Sequence, residues 1–108
     1  MTPGDVWTID LGTPIGVESA FRRPALIVGS PRNRGPLALV CPFTTTMRDY
    51  PWRVEVESSP TSGLSQTSYV QVEHLRSISS ARGVARLGRI DAAGWHQVRG
   101  VLRMLLDL

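Results

Sequence analysis

Lysine is missing altogether: the 12 basic side chains are all arginine, set against 9 carboxylates for a formal net charge of +3. A GC-rich genome produces the same bias, so this absence carries little functional weight. Cysteine is nearly missing. The single Cys41 rules out an intramolecular disulfide and fits a reducing compartment. No apolar run approaches the roughly 20 residues that a membrane span needs, and no charged-then-apolar leader opens the chain. The expectation is a soluble, cytoplasmic protein with no membrane partner. Metal ligands are scarce too: His74 and His96 lack a nearby pair of carboxylates or histidines at ligand spacing, so no metal or other cofactor is expected. A phosphate-cradling loop and a dinucleotide glycine fingerprint are also absent.

What is present fits one domain spanning residues 1–108, able to bury roughly 60–70% of its unfolded surface. Val6 to Leu11 alternates apolar and polar residues and reads as a first strand. Pro24 to Gly29 contains the continuous apolar run Ala25-Leu26-Ile27-Val28 and reads as a buried second strand, with Arg22 and Arg23 at its mouth. Leu37 to Phe43 is a third, apolar enough to be central, and Trp52 to Glu57 alternates strictly. Ser58 to Thr67, rich in Ser, Thr, Pro and Gly, reads as a flexible loop. Ser68 to Val72 and Val84 to Ile90 read as two further strands. The end changes period: Asp91 is a good N-cap, and Trp95, Val98, Leu102 and Leu105 recur at helical spacing, widened by Val101 and Leu108. The fold expected is α+β and mainly β, a small curled antiparallel sheet or barrel with a C-terminal helix packed on it.

Charge distribution says more than net charge. No carboxylate occurs from Ser19 to Arg48, which holds five arginines, or from His74 to Ile90, which holds four. If the two stretches converge, they make a positive face suited to phosphates; otherwise they are solvated loops. Thr44 to Thr46 follow the third strand, where threonines commonly form turns and where a hydroxyl is also placed to donate to an oxyanion. His96, beside Trp95 in the helix, reads as a surface or packing residue.

Several motifs in one order resemble the MazF/PemK-type toxins of bacterial toxin–antitoxin systems. They are Gly4-Asp5-Val6-Trp7, then Gly16, Glu18 and Arg23-Pro24, then Cys41-Pro42-Phe43-Thr44. The likeness continues through Ser68 to Ile78 and Arg86-Leu87-Gly88-Arg89-Ile90. The resemblance implies an SH3-like (CcdB/PemK-like) barrel, usually a homodimer, and a sequence-specific, metal-independent endoribonuclease cutting single-stranded RNA. It puts the catalytic pair on Arg23 and Thr44, and RNA-contacting or supporting roles on Glu18, Ser68, Glu73 and His74. Arg22 then becomes a solvated or phosphate-contacting neighbour. Phe21 has two readings, stacking on an unpaired base or anchoring the loop from beneath, with the anchor preferred. The implied partner is an antitoxin whose disordered, acidic and apolar segment covers the basic face.

Two departures bear on sequence preference. The family often has Gly-Ser-Glu-Gln where this chain has Gly16-Val17-Glu18-Ser19, and a glutamine where His74 stands. The chemistry implied is attack of the ribose 2′-OH on the adjacent phosphate, leaving a 2′,3′-cyclic phosphate and a 5′-OH, with Glu18 or His74 assisting proton transfer. Two alternatives share the fold: a gyrase poison of the CcdB type, and a non-catalytic SH3-like module that binds nucleic acid. The chain ends Met104-Leu105-Leu106-Asp107-Leu108, unlike the Trp-Gly-Ile end of the gyrase poisons.

Overall fold

The computed structural model describes all residues except 14, 17–20 and 31–34. Its strands are β1 (Asp5–Asp10), β2 (Arg22–Gly29), β3 (Leu37–Thr44), β4 (Arg53–Val56), β5 (Ser68–Gln71), β6 (Arg76–Ser79) and β7 (Gly83–Arg89), followed by α1 (Ala92–Leu105). They form one antiparallel sheet in the order β4-β5-β3-β2-β1-β7, with β6 pairing on β3 beside β5.

The apolar run of β2 explains its central place. Ala25, Leu26 and Ile27 are each fully buried, and the two faces of the strand enter different cores. Leu26 packs with Val6, Cys41, Phe43, Val54, Val70 and Val98. Ala25 and Ile27 pack with Ile9, Leu11, Ala38, Val40 and Ile78 on the other side. A strand covered on both faces has no polar face to alternate, which is why its sequence runs continuously apolar.

β3 changes partner halfway along. Leu37 to Val40 pair with β6, whereas Phe43 and Thr44 pair with β5. Pro42, which has no N–H to give a ladder, sits at the changeover. β6 escapes a reading by pattern because Ile78 is its one buried residue, flanked by Ser77 and Ser79.

The ends of the sheet differ from a closed barrel. Among the described residues β4 and β7 do not pair; the segment after β4 lies between them, and Arg89 N–H donates to the Thr61 carbonyl at 2.9 Å. This segment is the serine-rich stretch expected to be flexible, and it is ordered instead by its own hydroxyls. Buried Ser62 donates to the Glu57 carbonyl at 3.0 Å and accepts from Ser59 N–H at 3.2 Å, while the Ser59 hydroxyl accepts from Ser62 N–H at 2.9 Å. Two glycines let the backbones touch: a Cβ on Gly63 would collide with the Leu87 carbonyl, and one on Gly88 with the Thr61 carbonyl.

At the chain's end, Asp91 caps α1 through a 2.7 Å bond from Gly94 N–H. Val98 is buried, and Trp95, Val101 and Leu102 pack on the first core. The stripe then runs past its support: Leu105 is 40% exposed and Leu108 80%. No helix among the described residues is long and apolar enough to cross a membrane.

Candidate functional site

β2 starts at Arg22, two residues earlier than the apolar pattern indicated, because pairing with β1 extends to Asp10 opposite Arg22 and Ile9 opposite Arg23. The loop neck is closed by Phe21 N–H to the Gly12 carbonyl (2.7 Å) and Leu11 N–H to the Phe21 carbonyl (2.9 Å). Both arginines are therefore carried on hydrogen-bonded backbone rather than on a loose approach to the strand.

Sheet register assembles the site. Ala25 lies opposite Pro42, and the same register carried two residues on sets Arg23 opposite Thr44. Arg23 Nη1 accordingly donates to the carbonyl of Phe43, next to Thr44, at 3.5 Å. Thr44 lies opposite Tyr69, and Tyr69 opposite Glu55, so Glu55, Tyr69, Thr44 and Arg23 form a row across four strands. Residues aligned this way share one face. The neighbours Val54, Val70 and Phe43 point the other way, into the core. The Thr44 hydroxyl accepts from Thr46 N–H at 3.2 Å, so the turn role expected of such threonines includes Thr44 itself. A hydroxyl accepting in this way keeps its own proton to donate.

The remaining sequence-derived residues are placed differently. Glu18 lies outside the described residues. Phe21 is 64% exposed with a left-handed φ of 57°, so its ring does not anchor the loop; the backbone bonds do. Arg22 is exposed at the strand's start, opposite Asp10. Ser68 is buried and donates to the Gln66 carbonyl at 2.9 Å, pointing to support of the loop before β5. Glu73 and half-buried His74 lie in a 3₁₀ turn, Val72–His74, beside the point where β3 changes partner.

The two acid-free arginine stretches converge only partly. Ile9 has Arg23 on one side and Gly83 on the other, and Arg82 Nη1 donates to the Asp10 carbonyl at 3.3 Å, so Arg82 joins the Arg22–Arg23 end. Arg89 and Arg86 instead meet buried Asp5 at 2.9 and 3.5 Å, at the opposite end of β7. Burial pushes the Asp5 carboxyl up, but the Thr2 N–H, the Trp7 indole and Arg86 outweigh it and hold the group below its ordinary value.

Sequence reasoning passed over a further cluster. The Trp52 indole and Arg53 both converge on one Glu73 carboxylate oxygen, and Tyr50 stacks on Trp52. Its signal was an aromatic-x-aromatic-Arg sequence at the mouth of an alternating strand. Cys41 offers no nucleophile: burial, and then the charge of Glu73, push its thiol up to about 12. Among the described residues no three His, Cys, Asp or Glu side chains gather as metal ligands. Surface grooves of 470, 480 and 310 Å³ flank α1, away from Arg23 and Thr44.

Known proteins match this arrangement along its length. Endoribonuclease MazF9 of Mycobacterium tuberculosis (strain ATCC 25618 / H37Rv) is 32% identical over 116 residues, covering 100% of this chain and 98% of its own. The crystal structure of MazF (Form-I) from Deinococcus radiodurans superposes with a TM-score of 0.81 at 28% identity, covering 97% of this chain and 94% of its own. An endoribonuclease in complex with its cognate antitoxin, from Mycobacterial species, gives 0.77 at 27% identity over 97% of this chain and 93% of its own. Residues 2–106 match the family described as PemK-like, MazF-like toxin of type II toxin–antitoxin system. The chain belongs to this PemK-like, MazF-like toxin family.

Proposed function

We propose that this protein is the toxin of a toxin–antitoxin pair and an endoribonuclease that cleaves single-stranded RNA without a metal, with Arg23 and Thr44 as its catalytic residues. The observation that carries the reading is the β2–β3 register, which continues to Arg23 opposite Thr44 and places Arg23 Nη1 on the neighbouring Phe43 carbonyl. In the reaction, the 2′-oxygen forms a bond to phosphorus as the bond from phosphorus to the 5′-oxygen breaks. The 2′-OH proton passes to a base and a proton is delivered to the departing 5′-oxygen. The nucleophile comes with the substrate, so the protein's task is in-line positioning and stabilisation of negative charge on the phosphorane-like transition state. A guanidinium fork binds two phosphate oxygens in one plane, and the Thr44 hydroxyl adds a third donor. Arginine's pKa above about 12 makes it a poor base, which leaves proton transfer to Glu18 or His74.

Arg22, Phe21, Ser68, Glu73 and His74 complete the RNA-binding surface in this reading, with Glu73 acting through the groups it holds. The antitoxin's acidic, apolar segment covers the arginine-rich face in the cytoplasm. The uncovered end of α1, with Met104, Leu105, Leu106 and Leu108 all exposed, supports assembly as a homodimer. The family relationship favours RNA cleavage over gyrase poisoning.

The test is cleavage of a long mixed-sequence single-stranded RNA in excess EDTA, with product ends mapped. Wild-type protein is expected to cut and leave cyclic-phosphate ends. Arg23→Ala is expected to lose at least about a hundredfold in rate while RNA affinity falls far less. Equal losses in rate and affinity would make Arg23 a binding residue. Binding without cutting would establish the non-catalytic module.

A further inference from the structure

We propose that Tyr50 and Trp52 form a stacking platform for an unpaired base of the RNA, a few nucleotides from Arg23 and Thr44; the substrate class rests on the endoribonuclease reading. The two rings have centroids 4.8 Å apart and planes within 17° of parallel, and the Arg53 guanidinium lies 5.0 Å from the Tyr50 centroid. Aromatic rings stacked on each other, with a guanidinium over one of them, hold nucleobases with little regard to sequence.

The cluster is built rather than incidental. Glu73 Oε2 accepts from Trp52 Nε1 at 3.0 Å and from Arg53 Nε at 2.9 Å, and pairs with Arg53 Nη2 at 2.9 Å. One carboxylate oxygen thus fixes an indole and a guanidinium together, and the Arg53 side chain keeps only 11% of its surface. Ordering of these side chains is completed on folding, so it does not oppose ligand binding. Neither ring belongs to the two hydrophobic cores, and Tyr50 remains 42% exposed. Core formation therefore does not explain the stack.

Its position suits the same strand of RNA. Thr44 is opposite Tyr69, Tyr69 is opposite Glu55, and Arg53 is two residues from Glu55 along β4. Two strand spacings and two residues of rise separate Arg53 from Thr44 by about 12 Å, within reach of a few unstacked nucleotides.

The experiment uses short single-stranded RNAs carrying the fluorescent base 2-aminopurine at one position at a time. They are titrated with Arg23→Ala protein, so that cutting does not interfere. Emission is expected to be quenched at one or two positions, and adding Tyr50→Ala should abolish that quench. In the Arg23-containing protein, Tyr50→Ala is expected to raise KM about tenfold with kcat changed less than about twofold, and Tyr50→Phe should restore KM because the ring is kept. Unchanged quench and KM in Tyr50→Ala, at an unchanged melting temperature, would overturn the platform, as would failure of Tyr50→Phe to rescue. If the parent protein cuts no RNA, the endoribonuclease reading falls, while the quench still judges the platform by itself.

Discussion

Asp5 and Glu73 are each a carboxylate that gathers arginine, and they do different work because of what else they hold. Asp5 is 5% exposed and ties the start of the chain to its distant β7: it accepts from Thr2 N–H at 3.0 Å, contacts the Trp7 indole on β1, and pairs with Arg86 and Arg89 of β7. Of these partners, Trp7 packs on the second core and Arg89 also donates to the Pro3 carbonyl. Glu73 holds Arg53 and Trp52, and through them the exposed Tyr50. The same charge pairing is thus a clamp on the fold at one end of the sheet and a support for a surface at the other. An ion pair's role follows from the side chains fixed by it.

The largest expected effect breaks the first of these pairs. Asp5→Ala leaves two arginines, Thr2 N–H and an indole without their acceptor, and should cost about 2–4 kcal/mol in urea unfolding. The wild-type Asp5 carboxyl is held below its ordinary value of 3.8, so its stabilisation is fully present above that value and lost as pH falls through the lowered one. The acid limb of stability should therefore be shallower in Asp5→Ala. An identical limb in both proteins would show that other carboxylates govern acid unfolding.

Glu73→Gln sharpens the contrast. It keeps the shape of the side chain and one acceptor, and should cost only about 1 kcal/mol of stability. With the platform's support loosened, its KM for RNA should nevertheless rise severalfold, whereas Asp5→Ala protein that remains folded should bind RNA normally. The smallest effect is expected for Arg86→Met, whose 3.5 Å contact is made by a half-exposed side chain. A loss of about 0.5 kcal/mol or less is predicted by thermal unfolding, because an exposed ion pair gains little over its hydrated parts. A larger loss would mean that Arg86, not Arg89, is the principal partner of Asp5.

Much of the fold was legible along the chain, for local reasons. β2 announced itself by its uninterrupted apolar residues, and α1 by its spacing and by Asp91. Misreadings arose where long-range pairing overrides local pattern. β6 has one apolar anchor and exists because β3 offers it an edge. Ser58 to Thr67 looked flexible by composition, yet its hydroxyls fold the segment on itself, and its Thr61 carbonyl accepts from Arg89 N–H of β7. Phe21 was read as an anchor by its apolarity, whereas the two backbone bonds at the loop neck leave its ring in solvent.

The family motifs placed Arg23 and Thr44 in the sequence, but the register of β2 on β3 brings them together, 21 positions apart. The amino-acid sequence by itself determined which segments extend, which coil and which faces turn inward, because periodicity and capping act within a few residues. Only the tertiary structure decided how the arginines divide between the Asp5 clamp and the Glu73 cluster. Asp5 finds its arginines 81 and 84 residues away, and Glu73 finds Arg53 20 residues away. Charges pair by distance through space, and the order of strands in the sheet sets that distance.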